Sequence, residues 1–530
     1  MTGVSSFPRT LSRVALGASA GLVAGFTALA VAELVAGLVR PAAGPVTVVG
    51  GALIDRTPAA VKDFAIRTFG DNDKAVLRVG ILSVLGLAAI GLGVLGLRHR
   101  RVGAAGVLLF GVVGAVAALG RPDSTGVGDA LPSLIGGLTG CFALYVLASK
   151  AAVVTTPAGS EDERETGVWD RRGFLVAAGV TTATATSAGV LGRFLSGRQG
   201  QGAVASRERL VLPEPSSPAP PVPPGARLKV PGISPFITLT RDFYRVDTAL
   251  IVPTIDAGTW RLRIHGKGVT RPRTYTLDEL LARPLIERDI TLTCVSNEVG
   301  GPYVGNARWL GVPLAGLLRE AGVRPPSHGG AADQLVARSV DGMTLGSPVE
   351  DVMDGRDAML AVGMNGEPLP FDHGFPVRML VPGLYGYVSA CKWIESIELT
   401  TFDAYDPYWV KRKWARRAPI KTQARIDTPR PFARPAPGTV TIAGVAWAQH
   451  RGITRVEIRI DDGPWRDAEL AVQDTVDTWR QWSYRWDATS GSHTLTVRAT
   501  DGTGQVQTEQ RTRTLPDGAS GRHSVFVTVP

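Results

Sequence analysis

"LTCVSNEVGG", Leu292 to Gly301, holds one of the three cysteines in this chain. The residues "DITLTC" read as a core strand that stops at a sulfur and runs into a polar, glycine-containing loop. A free cysteine is most often a buried, inert packing residue, so the surroundings of Cys294 decide whether its sulfur does chemistry. Cys141, in an apolar stretch, and Cys391, before a strand, read as packing residues. Three cysteines cannot form a disulfide framework. No CxxC or CxxCH occurs, so zinc ribbons and covalently attached c-type haem are unsupported.

The elements that must position Cys294 lie in a middle region, residues 233–428. "TLDELLARP" and "PLAGLLREAGV" are amphipathic helix candidates; "DITLTC", "PVRMLVP" and "KWIESIELT" are strands. No β–α alternation of nucleotide-binding type is evident, so the class is α+β. Residues 429–530 are strand-like throughout. "TVTIAGVAW", "RVEIRID", "HTLTVRATD" and "SVFVTVP" alternate apolar and polar residues between turns, which predicts an immunoglobulin-like sandwich. Residues 199–232 form a proline-rich linker. Its "PEPSSPAPPVPPG" is expected to be an extended spacer of about 3.1 Å per residue that holds the next domain off the membrane.

Residues 1–198 carry five nearly uncharged apolar stretches: Val14–Val39, Val76–Leu97, Val102–Leu119, Ala130–Ser149 and Phe174–Leu191. Each approaches the roughly 20 residues that cross a bilayer, which predicts a five-helix multi-pass anchor. Gly17, Gly21 and Gly25, spaced four apart, favour close helix packing. "GLGVLG" (Gly91–Gly96) matches a dinucleotide fingerprint by letter but has no preceding strand, so it is set aside. Glu33, near one end of the first stretch, reads as structural. Arg9 and Arg13, then Arg98, Arg100 and Arg101, then Lys150, Arg164, Arg171 and Arg172 fall on one side if the amino terminus is cytoplasmic. Everything after Arg193 is then outside the cytoplasm. Formal net charge is +10, from 57 basic and 47 acidic residues. The arginines are scattered, with no basic run interleaved with aromatics, which argues against nucleic acid.

Four segments of the middle region share a wording: "RDFYRVD" (Arg241–Asp247), "TLTCVSNEVGG" with "GNARWLGVPLAGLLREAGV", "SVDGMTLG", and "NGEPLPFDHGFPVRMLVPGLYGYVSACKWIESIEL" (Asn365–Leu399). Their order resembles the sulfite-oxidase family of molybdenum enzymes, from about Phe236 to Pro530. The resemblance implies one Mo-molybdopterin per chain, with Cys294 as the metal's thiolate ligand; a soft thiolate suits a redox-active metal with sulfur co-ligands. It implies that His373 and Arg378 contact the pterin phosphate or the anionic site beside the metal. Ser389 and Lys392 would hold the cofactor, and Tyr244 and Arg245 would line the pterin. Ser296, Asn297 and Arg308 are weaker candidates of the same kind. Asp341 is either part of the site or a turn residue.

Two departures bear on substrate. "RDFYR" replaces the arginine–asparagine–histidine segment of sulfite oxidases and looks more like the family's bacterial reductase and dehydrogenase branches. The catalytic tyrosine that sulfite oxidases carry downstream of "KW" has no assigned counterpart among Tyr405, Tyr408 or the nearby tryptophans. The reading is therefore a membrane-anchored oxidoreductase with its catalytic domain outside the cytoplasm, transferring oxygen to or from a small substrate. A sulfoxide reductase, and a non-enzymatic surface-binding module with a degenerate core, are the alternatives. A homodimer is implied as an option, because the sandwich resembles that family's dimerisation domain. None of the seven histidines falls in an apolar stretch, so no haem is expected in the anchor. A separate cytochrome or quinone-linked protein would exchange the electrons.

"WDRRGFLVAAG", from Trp169, resembles a twin-arginine export signal, read on proteins that fold before export. Arg171→Lys with Arg172→Lys keeps the charge and so keeps ordinary topology. If a receptor reads the pair, this variant is expected to lose translocation of the following domains, measured by protease accessibility in intact cells. Normal translocation would leave only a topogenic role for the two arginines.

Overall fold

The computed structural model describes residues 7–57, 61, 68–69, 73–121, 124, 126–154 and 161–530; the side chains of 7–12, 73, 152–171 and 198–199 lie outside this description. Arg171 of the export motif is among them. The chain divides into two compact units, Met1–Gly202 with Thr248–Val252, and Ala203–Asp247 with Pro253–Pro530.

Five helices of the first unit are long and apolar enough to cross a membrane: Arg13–Val39, Lys74–Arg98, Arg100–Leu119, Val127–Ala151 and Arg172–Glu208. A further helix, Pro45–Arg56, starts on a proline in the loop after the first span. Gly17 and Gly21 face Gly93 and Ala89 so closely that a Cβ on Gly21 would strike the Ala89 carbonyl. "GLGVLG" is thus helix-packing surface, as its lack of a preceding strand required. The Arg40 guanidinium donates from Nε (3.1 Å) and Nη2 (2.7 Å) to the Asp129 carboxylate, a charge pair that lets the buried acid stay inside the bundle.

The last helix is longer than its apolar stretch. It runs Glu161–Glu208, so ten residues assigned to the linker are helical. In the second unit Arg207 caps that chain segment onto the Pro368 and Leu369 carbonyls, 2.8 Å each. The proline-rich segment also departs from expectation, because it is bound and not a free spacer. Ser217 makes a parallel bridge to Ile286, donating to the Leu285 carbonyl (3.2 Å) and accepting from the Glu287 amide (2.9 Å). Leu212 and Val222 pack against the core. Prolines fix the extended shape, and the few free N–H groups between them suffice for edge pairing.

The middle region is α+β with two five-stranded sheets. One runs Arg273–Thr276, Arg261–Gly266, Ile394–Thr400, Gln334–Ser339, Thr344–Pro348, with a parallel pairing between the second and third. The other is antiparallel: Ile286–Thr293, Val304–Pro313, Met359–Met364, Glu367–Pro368, with Arg378–Leu380 also on Met359–Met364. "TLDELLARP" forms a helix at Leu277–Leu281, started by a capping box in which Thr276 and Glu279 satisfy each other's amides. The sandwich is two four-stranded sheets closed over Trp482, Trp486, Ile442, Ile458, Val497 and Val527. Its first strand is Gln423–Thr428, which pairs with Gly438–Trp447. The boundary expected at 428/429 therefore lies earlier, before Gln423, because this strand completes the sandwich edge.

Asp474 lies beside Asp289, which Arg308 holds at 2.9 and 2.7 Å. Burial first, then the Asp289 charge, push the Asp474 carboxyl up to about 6. The folded state then binds a proton that the unfolded chain releases from about pH 4. Stability from this group is present below that pH and lost as pH rises through about 6. Asp474→Asn is expected to be more stable than the parent at pH 7, with the difference shrinking toward pH 4, measured by denaturant unfolding across that range.

Candidate active site

The strand Ile286–Thr293 ends one residue before Cys294 and is the edge strand of its sheet. Its outer edge is paired at its start and at its end. The Ser217 strap covers the start. Farther on, the Thr291 amide donates to the Asp477 carbonyl (3.0 Å). Gln449 donates to the Thr291 carbonyl and the Thr293 hydroxyl, 2.9 Å each. The Trp479 amide donates to the Thr291 hydroxyl at 2.7 Å. Asp477, Gln449 and Trp479 all come from the sandwich. Cys294 itself is fixed by its amide on the Tyr303 carbonyl (3.0 Å), and its carbonyl accepts from the Asn297 amide (3.0 Å).

The loop after it is shaped from inside. Asn297 accepts from the Tyr303 amide at 2.8 Å. Gly300 has φ +80°, and the His523 ring occupies the space a Cβ would need. Arg425 donates to the Gly301 carbonyl at 2.8 Å. Ser296, next but one to Cys294, favours its thiolate form through its amide and hydroxyl. Burial pushes the Cys294 thiol up, opposed by Ser296 and by the Lys392 charge. A bound cation would reverse the balance, since thiolate ligation needs the proton gone.

Three cationic or basic side chains gather on the "HGFPVR" and "SACKW" segments. Arg378 is 4% exposed and donates to the His373 carbonyl at 3.2 Å. Its guanidinium lies 5.0 Å over the Trp309 ring. Gly374, at φ +107°, lets Arg378 and Lys392 approach where a Cβ would stand 3.1 Å from both. Lys392 donates to Asp247 (3.0 Å) and the Asp372 carbonyl (2.9 Å). Arg245 reaches Asp247 at 2.9 Å and Asp372 at 3.0 Å. Burial lowers Arg378 to about 10 and Lys392 to about 8. Burial, then the Arg378 and Lys392 charges, lower His373 to about 3, so this imidazole is neutral at ordinary pH.

Two tyrosines lie within electrostatic reach of Cys294. Tyr244 stacks on Phe243 at 5.1 Å, and Tyr385 precedes the short helix Gly386–Ser389; burial raises both phenols. Tyr405 instead donates to Thr344 (3.3 Å), and Tyr408 is buried under Arg412.

The structure thus brings together Cys294, Ser296, Tyr244, Arg245, His373, Arg378 and Lys392. Asn297 serves to shape the loop. Ser389 is fully buried, its hydroxyl donating to the Leu384 and Tyr385 carbonyls, so its side chain is spent on the local turn. Arg308 is not in the group. It pairs across the strands with Asp289, on the face shared by Thr291 and Thr293, whereas Cys294 falls in the alternate set. Asp341 is a turn residue, accepting from the Met343 amide at 3.2 Å. Sequence reasoning missed Asp247, Trp309 and Tyr385. All three lie inside the quoted motifs, but nothing in their spacing marks them as site residues.

The fit to an anionic cofactor can be tested on one atom. Arg378 Nε is buried and has no hydrogen-bond partner among the described residues. No described carboxylate pairs with that guanidinium. A buried cation left this way is costly unless an anion completes it, and a phosphate or oxyanion fits the guanidinium fork.

Residues 249–409 match the model of the oxidoreductase molybdopterin binding domain, and residues 423–497 that of a bacterial Ig domain. The catalytic region belongs to the sulfite-oxidase family of molybdopterin oxidoreductases. Mitochondrial sulfite oxidase of Mus musculus is 29% identical over 301 residues, 49% of this chain and 55% of that protein. Nitrate reductase [NADH] 1 of Oryza sativa subsp. japonica is 35% identical over 212 residues, 36% of this chain and 22% of that one. The sulfane dehydrogenase SoxCD from Paracoccus pantotrophus superposes with a TM-score of 0.47 at 26% identity, covering 55% of this chain and 81% of that one. The chain spans about half the length of the sulfite oxidases it matches.

Replacing the unpaired buried cation with an apolar side chain of similar length removes a desolvation cost. Arg378→Met is expected to leave the cofactor-free protein at least as stable in thermal unfolding, while pterin content per chain falls well below that of the parent. Full loading of that variant would place the anion elsewhere.

Proposed function

We propose that this chain is a membrane-anchored molybdopterin-dependent oxidoreductase whose catalytic domain works outside the cytoplasm. The carrying observation is the buried Arg378 guanidinium with its orphaned Nε, in a cationic group shared with the free thiol Cys294. In this reading Cys294 ligates molybdenum, and Arg378 and Lys392 hold the pterin phosphate or the bound oxyanion. Tyr244 and Arg245 line the pterin, with Ser296 supporting the sulfur. His373, neutral, offers a hydrogen bond without adding charge. The bound cofactor supplies two-electron oxygen-atom transfer; the protein orients the substrate and balances negative charge.

The substrate is a small molecule of the sulfite or sulfoxide kind. Arg245, which stands in "RDFYR", is engaged by Asp247 and Asp372, so part of its charge is spent locally. That favours keeping a sulfoxide reductase as the second reading, since a neutral sulfoxide needs less free positive charge than sulfite. Electrons pass to or from a separate cytochrome or quinone-linked protein. The sandwich is available for homodimerisation.

Turnover of sulfite and of sulfoxides with artificial electron carriers separates the two chemistries. Cys294→Ser is expected to abolish both while the fold persists, because a serine oxygen replaces a soft thiolate poorly. Turnover equal to the parent's in that variant would remove the central assignment. Molybdenum near one per chain in matured protein supports the enzyme, and its absence would support a binding module.

A further inference from the structure

We infer that the basic loop Tyr408–Arg417 is the docking face for an acidic one-electron redox protein. This rests on the oxidoreductase reading, because only such an enzyme needs a partner that exchanges electrons singly.

The segment Asp403–Arg417 holds five cations against two carboxylates. Lys411, Lys413, Arg416 and Arg417 are exposed. The rings lie beneath them. Tyr408 meets Trp409 at 5.1 Å, Trp409 meets Trp414 at 5.9 Å, and Trp414 meets Tyr387 at 5.4 Å. The Arg412 guanidinium sits 3.5 Å over Tyr408, and the Lys411 ammonium 5.0 Å over Tyr405. Lys413 is held at φ +70°, a left-handed conformation that lysine seldom takes, so packing fixes the loop's shape.

The loop lies directly over the segment that faces the cysteine. Tyr387 donates to the Ala415 carbonyl at 2.8 Å. The Tyr385 amide donates to the Ala418 carbonyl at 2.9 Å, and the Tyr385 hydroxyl accepts from the Lys421 amide at 3.4 Å. Gly386, next to Tyr385, lies where a Cβ would stand 3.9 Å from the Thr293 carbonyl, one residue before Cys294. The basic loop is thus hydrogen-bonded to the Tyr385–Tyr387 segment, which packs on the residue just before the candidate metal ligand. Electron tunnelling falls steeply with distance, so a redox partner must dock where the centre comes nearest the surface. In the oxidising direction the substrate takes an oxygen from water, two protons go to solvent, and two acceptor proteins each take one electron in turn.

The chemistry of the face selects the occupant. Its exposed cations point to an acidic surface, and arginine and aromatic residues are those enriched at protein interfaces. Among the described residues of the loop no large apolar side chain is exposed, so nothing is presented for insertion into lipid. The cations are spread along a surface and do not converge on a pocket, which does not suit a small anion.

The test uses the detergent-solubilised full chain and two probes, an acidic and a basic c-type cytochrome, with binding followed by calorimetry. The acidic cytochrome is expected to bind, more weakly as salt rises. Lys411→Glu with Lys413→Glu is expected to weaken it at least ~10-fold and to favour the basic cytochrome, as rim charges steer association. Lys411→Gln with Lys413→Gln should fall between. Three results would overturn the docking face: unchanged cytochrome affinity in the charge-reversed variant, loss only of co-sedimentation with phosphatidylglycerol vesicles, or a higher substrate KM with an uncharged quinone as acceptor. Molybdenum content is measured on the same samples. Molybdenum without cytochrome binding removes the docking face alone, whereas absence of molybdenum removes the oxidoreductase reading.

Discussion

An edge strand that runs into the candidate ligand Cys294 must have its open edge closed, and parts of the second unit distant in sequence meet that need. The backbone groups of Ile286–Thr293 would otherwise present a free ladder to any other strand. Two segments distant in sequence close it. Ser217 pairs with its start, and Asp477, Gln449 and Trp479 of the sandwich pair with its end. The sandwich is therefore more than an appended module, because it supplies hydrogen bonds to the residues just before Cys294. It also reaches the loop just after, through Arg425 on Gly301 and the His523 ring against Gly300. Held on both sides, the sulfur has little freedom, which is what a rigid ligand position requires.

Charge is organised by the same closure. Arg378 and Lys392 are taken out of water by the strands and turns around them, and among the described residues only Lys392 of the two has a carboxylate, Asp247, to answer it. Trp309 gives Arg378 a π-face and nothing more. The outcome is a site with net positive potential in a low-dielectric wall, where an anion is bound more strongly than at the surface. The neutral state of His373 belongs to the same balance, since a third charge there would stand against two cations already buried.

The first unit obeys a different constraint. Its helices are apolar on nearly every side, so their association relies on close backbone approach at Gly17, Gly21 and Gly93. Its buried acid Asp129 is answered by Arg40.

The sequence by itself determined the element types, because periodicity and turn residues are local: five apolar spans, a mixed middle and an alternating tail are all present. It also determined the choice of Cys294, His373, Arg378 and Lys392, since these sit in contiguous, chemically specific motifs. Only the tertiary structure decided which candidates share a space. Arg308, a weaker candidate in sequence, is sent by strand alternation to Asp289. Ser389 looked available, yet its hydroxyl is used by its own turn. The proline-rich stretch looked like a spacer because composition reports chain stiffness and not the edge it will meet. Tyr385 and Asp247 gained meaning only when segments up to about 150 residues apart were brought together, as at Asp247 and Lys392. Long-range pairing leaves no periodic mark in the chain, because the partner of each backbone or side-chain group is set by the global register and not by its neighbours.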